Sequence, residues 1–189
     1  SQMANQGHTT NGIRQVKEWY EAGILGEVRE VHAWFGEFNF KPGHWWDKPS
    51  EFPPKKQAIP KTLDWNLWLG PAKNRNYNKV YVPKSWRGFF DFGNGQLGDW
   101  SCHTLDAPFW ALNLGMPSSV FGNVPDPRTK ENFVADKSTV EFTFPANNDR
   151  KSVKLKWYEG GFKPNFGDDF PLKNICLLYT SPSPRDSRR

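Results

Sequence analysis

Cysteine is scarce: Cys102 and Cys176 are the two in 189 residues. Two are too few for a disulfide framework, and they lack metal-ligand spacing. No apolar run approaches the roughly 18 residues of a membrane span. The net charge is +5, but part of that excess belongs to the closing "RDSRR". No block of basic residues is interleaved with aromatics on one helix. The reading is therefore no nucleic acid and no membrane as partner. The chain opens at Ser1 without the charged-then-apolar pattern of a signal peptide. Its compartment stays open: cytoplasmic, or periplasmic if an export signal precedes Ser1. Hydrophobic residues are also few, at 37%, yet aromatics reach 16% with ten Trp. The core is expected to rest on large rings, which also make flat platforms for sugars.

The last stretch, "CLLYTSPSPRDSRR", shares no pattern with what precedes it. Its Pro and Ser content predicts disorder. It resembles a reading frame through a transposon-end adapter from library preparation, so residues 175–189 are expected to be a non-native tail. A natural flexible tail is the alternative.

Along the chain, "SQMANQGH" reads as a strand end and a turn. Thr9, Thr10 or Asn11 can cap the helix that follows, in which Ile13, Val16, Tyr20 and Ile24 share a side. Gly23 and Gly26 close it. This is a strand–helix unit of the α/β kind. Residues 27–40 alternate with period two and predict a long strand. Residues 41–62 hold five prolines and form a long loop, a class that is often functional. "LDWNLWLGPA" predicts a short helix, and the periodicity from Leu97 to Leu112 predicts another. "SSVFGNV", "STVEFTFPA" and "SVKLKWYEG" read as three strands, the last two joined by a hairpin at "PANNDR". Lys154 and Lys156 fall on the wet side of an antiparallel sheet. No internal repeat is present.

The stretch "GNGQLGDWSCHTLDAPFW" carries Asp99, His103 and Asp106 at offsets of four and three, on one helix face. A carboxylate beside an imidazole orients the ring and favours its charged form, a combination suited to a general base. Gly93, Gly95 and Gly98 let the chain turn tightly and let a ligand approach the backbone. Spacing alone favours a solvated polar face. A metal held by Asp99, His103 and a loop residue such as His44 is a third option.

That segment resembles the G-x-G-x-L-x-D-x-x-x-H-x-x-D stretch of the Gfo/Idh/MocA oxidoreductases. "NQGH" with its helix, "LDWNLWLGPA" and "WRGFFDFGNG" are similar to the Trp-rich bacterial branch in the same order. The resemblance runs from Ser1 to about residue 174. It implies an α+β fold: an open, mostly antiparallel sheet with helices on one face, preceded by a strand–helix remnant of a Rossmann domain. The remnant is residues 1–26 and the C-terminal substrate and oligomerisation domain is 27–174. The resemblance implies NAD or NADP as cofactor and a sugar or polyol as substrate. It makes His103 and Asp99 catalytic, with His103 taking a hydroxyl proton and Asp99 orienting it. Asn5 matches a cofactor-binding position, and Trp86 and Arg87 are placed at the substrate, with packing and a surface ion pair as the alternative. Asp106 is expected to be structural. No metal is implied, and a homo-oligomer through the sheet face is.

The G-x-G-x-x-G fingerprint and the E-K-P motif are absent from the chain, so the 189 residues alone are expected to show no turnover. Two other readings stand beside hydride transfer. One is an NAD-dependent glycoside hydrolase of the same fold. The other is a carbohydrate-binding module whose platform is Trp45, Trp46, Trp65, Trp68 and Trp86.

Overall fold

A computed structural model describes residue 5 and residues 7–35, 47–127 and 131–167. The expected tail, the strand extension over 36–40, and His44, Trp45 and Trp46 lie outside the described residues.

Helix α1 spans Asn11–Glu21. Thr10 is its N-cap residue, but its hydroxyl donates to the Gly7 carbonyl at 2.8 Å instead of capping. The helix ends as glycine dictates. Gly23 takes φ 73°, its N–H reaches the Tyr20 carbonyl, and Ile24 N–H reaches that of Trp19. Ile13 is buried as expected. Ile24 lies beyond the glycine stop and is 69% exposed, so it leaves the apolar face assigned to it from periodicity.

The described residues build a four-stranded sheet in the order β1-β4-β3-β2. The strands are β1 (Glu30–Trp34), β2 (Ser119–Asn123), β3 (Ser138–Phe144) and β4 (Val153–Glu159). β1 pairs with β4 in parallel, and the other two pairings are antiparallel. Register sorts the side chains by face. Ala33, Val153, Leu155, Trp157 and Phe144 turn inward and are buried. Lys154, Lys156, Glu141, Glu30, His32 and Tyr158 turn outward. The inner face packs on Leu112 and Leu114 after α4 (Asp106–Ala111), with Tyr20 of α1 and Leu105 at its margin. Helices therefore cover one face, and the fold is α+β with a mostly antiparallel sheet.

A second core lies apart from the sheet. Short helix α2 (Trp65–Leu69) is capped by the Asp64 carboxylate, which accepts from Leu67 N–H at 2.9 Å. Its Trp65 and Leu69 pack with Tyr77, Tyr81, Phe89, Phe133 and Val134. Trp65 and Trp68 stack with centroids 4.9 Å apart, and Phe89 and Phe133 meet edge to face at 4.9 Å. The expectation of a ring-built core holds here. Against the sheet the core is mainly aliphatic.

Two buried polar groups tie the sheet and its hairpin together. Arg150, 8% exposed, donates to the carbonyls of Leu112, Leu114, Pro145 and Lys151 at 2.8–3.0 Å. It pins the β3–β4 hairpin to the carbonyl-rich end of α4, where a cation is favoured. Glu159, 6% exposed, accepts from Ser138 Oγ at 2.5 Å and Trp157 Nε1 at 3.1 Å.

Candidate functional site

The single helix expected over Leu97–Leu112 is two. Helix α3 runs Gly95–Thr104, and α4 begins at Asp106 after one non-helical residue, Leu105. The physical reason is Pro108. It has no N–H to give the Thr104 carbonyl, and it disfavours a helical residue before it. Asp99 and His103 keep their i, i+4 alignment on α3, while Asp106 sits in the first turn of α4.

The glycine turn before α3 leaves its space to the protein itself. A Cβ at Gly93 would meet the Arg87 carbonyl oxygen at 2.6 Å, and one at Gly95 would meet Val134 Cγ1 at 2.7 Å. At Gly98 it would meet Asn94. Gly95 also needs its φ of 66° to enter the helix. The room expected there for a ligand is filled by packing.

Arg87 stands on a 3₁₀ turn, Ser85–Gly88, that packs beside α3. Its Nε donates to the Asp99 carboxylate at 3.3 Å, and its guanidinium lies 4.4 Å over the Trp86 ring. Trp86 Nε1 donates to the Pro83 carbonyl at 3.1 Å. Arg87, Asp99 and Trp86 thus form one connected group, partly open to solvent.

His103 is half-buried one helical turn further on. Its Nδ1 meets Asn5 Oδ1 at 2.5 Å, and its ring meets Trp100 edge-on at 5.7 Å. Asn5 Nδ2 donates to the Cys102 carbonyl at 2.6 Å and to Asp106 Oδ2 at 3.0 Å. His8 Nδ1 donates to both Asp106 oxygens, at 3.0 and 2.9 Å, and its ring lies 4.9 Å from Trp110.

His103 Nδ1 meets the Asn5 amide, and Asp99, expected to orient the ring, pairs with Arg87. The Asn5 amide, assigned to the cofactor by resemblance, is directed at three protein groups. Asp106 pairs nearby as expected, with Asn5 and His8. Sequence reasoning missed His8 and the Asn5–His103 contact. Residues about a hundred positions apart share no spacing signal, so "NQGH" could be flagged only through the family likeness.

Of the proposed tryptophan platform, Trp65 is buried and Trp68 packs against it in the aromatic core. Among the described residues no group of three His, Cys, Asp or Glu can hold a metal. No described helix is long and apolar enough to cross a membrane. A half-buried imidazole beside a carboxylate–guanidinium pair fits the hydroxyl-and-nicotinamide end of a dinucleotide site. The filled glycine turn does not fit its phosphates.

Among curated proteins none matches the chain. A family model does, over residues 9–151, and its description is "Oxidoreductase family, C-terminal alpha/beta domain". The matched span holds helices α1 to α4 and strands β1 to β3. By that match the chain belongs to the Gfo/Idh/MocA oxidoreductase family and carries its C-terminal alpha/beta domain.

Proposed function

We propose that this chain is the substrate side of an NAD(P)-dependent oxidoreductase that acts on a sugar or polyol hydroxyl. The observation that carries the reading is a half-buried His103 held at one ring nitrogen, one turn from the Arg87–Asp99 pair. His103 accepts the hydroxyl proton as the carbinol carbon becomes a carbonyl. When bound, the nicotinamide supplies the acceptor for the hydride that leaves that carbon. Arg87 and Asp99 offer a donor and an acceptor to neighbouring hydroxyls, and Arg87 is held over Trp86. The phosphates of the dinucleotide need residues other than these. In this proposal they belong to a separate Rossmann domain, and the 189 residues alone give no turnover. A second copy is proposed on the outer face of the sheet, where Phe121 is 71% exposed.

The test uses a polypeptide in which this chain follows its dinucleotide-binding domain. His103→Ala is expected to lower NAD(P)-linked turnover about 10²- to 10⁴-fold, the range of a lost general base, with a modest change in sugar binding. Retained turnover in that variant overturns the assignment. Product analysis separates the chemistries, since a keto sugar marks oxidation and a released sugar marks glycoside hydrolysis.

A further inference from the structure

We infer that Asn5, anchored by Asp106, is a positioning residue that fixes the tautomer of His103, leaving Nε2 as the ring nitrogen that carries the lone pair. The orientation of the Asn5 amide follows from its neighbours. The atom taken as Nδ2 faces the Cys102 carbonyl at 2.6 Å and Asp106 Oδ2 at 3.0 Å. A carbonyl and a carboxylate only accept hydrogen bonds, so an NH₂ group must face them. The flipped amide would set an oxygen against two oxygens. Oδ1 is thereby the atom at 2.5 Å from His103 Nδ1.

Oδ1 cannot donate, so the proton of that contact sits on Nδ1. A neutral imidazole carries one N–H, and the basic nitrogen is then Nε2. An unheld ring samples both tautomers, and which nitrogen can accept a proton follows from the one present. The Asp106 carboxylate is itself fixed by His8, whose Nδ1 reaches both of its oxygens. His8 is 47% exposed and Asp106 15%, so the clamp runs from the surface inward. The order is His8, Asp106, Asn5, His103: two groups from the N-terminal stretch alternate with two from the α3–α4 stretch. The value of the tautomer for proton transfer rests on the proposed function. The tautomer itself does not.

The experiment is a long-range proton–nitrogen correlation spectrum of the 189-residue chain labelled with ¹⁵N-histidine, recorded with the imidazoles neutral. His103 is assigned by its loss in His103→Gln. The wild-type ring is expected as the Nδ1–H tautomer. Asn5→Leu is expected to return it to a mixture, and Asp106→Asn to weaken the preference. An Nε2–H ring in the wild type overturns the inference, and needs no variant to fold. An Nδ1–H ring that persists in a folded Asn5→Leu overturns the role of Asn5. With the dinucleotide-binding domain present, Asn5→Leu is expected to lower kcat on the order of 10- to 100-fold with KM little changed, the scale of a lost outer hydrogen bond. Because the spectrum needs neither cofactor nor substrate, an absent NAD(P) activity would sink the proposed function while leaving the tautomer assignment standing.

Discussion

At the scale of single residues, burial decides which charges matter. The Arg150 guanidinium donates to four backbone carbonyls, which sit where α4 ends and the hairpin turns. A guanidinium can serve several carbonyls at once because its donors are fixed in a plane. Arg150→Met would leave the Leu112 and Leu114 carbonyls buried without a donor. The expected loss is on the order of 3 kcal/mol, read as a lower urea midpoint with an unchanged slope. Arg150→Lys should recover little, since an ammonium offers a point charge on a flexible stem. A midpoint unmoved in both variants would show that water replaces the guanidinium. Nothing in "PANNDR" marks this role, because a hairpin turn with an exposed arginine has the same composition. Asp99 and His103 were legible because α3 keeps one period between them. The partners of His103 and Asp106 were not, because they come from residues 5 and 8.

At the scale of elements, alternation was the reliable signal. β3 and β4 were readable because inward and outward residues alternate strictly, Val153, Leu155 and Trp157 against Lys154 and Lys156. The break at Leu105 was not read, because the periodic pattern of Leu97–Leu112 is the same with or without Pro108. The outward face carries its own chemistry. His32 Nε2 donates to Glu30 at 3.2 Å, and its Nδ1 lies 2.9 Å from the Tyr158 hydroxyl. Lys156 lies 3.7 Å from both Glu30 and Glu141. Partial burial raises the Tyr158 phenol above its ordinary value of 10.0, and the charges of Glu30 and Glu141 raise it further. A raised folded value means that the folded protein holds this proton more tightly than the unfolded chain. That stabilisation is fully present below pH 10.0 and is lost as pH rises through the folded value. Denaturation midpoints measured across the alkaline range should therefore fall less steeply in Tyr158→Phe than in the wild type. Parallel slopes for the two proteins would rule out this residue as the source.

At the scale of the whole molecule, the site depends on how the aromatic core is tied to the start of α3. The segment Asn132–Val134 makes that tie across the chain. Phe90 N–H donates to the Asn132 carbonyl at 3.1 Å, and Val134 N–H donates to the Gly88 carbonyl at 2.8 Å. Phe133 is fully buried between Phe52 and Phe89, and Val134 fills the space at Gly95 where α3 starts. One short stretch therefore anchors the aromatic core, the 3₁₀ turn of Arg87 and the first residue of the helix that carries Asp99 and His103. Phe133→Ala removes a ring from a site with edge contacts on two sides, where collapse onto the gap is resisted. The expected cost is about 3–5 kcal/mol, a large share of the roughly 5–15 kcal/mol typical of a domain. Because Arg87 and α3 share this anchor, the Arg87–Asp99 pair should loosen together with the core. Amide exchange would then quicken at Phe90 and Val134 before it changes in β3 and β4. Uniform quickening across sheet and turn would instead mean that the two cores unfold as one unit, and that the site is positioned by the sheet as much as by Phe133.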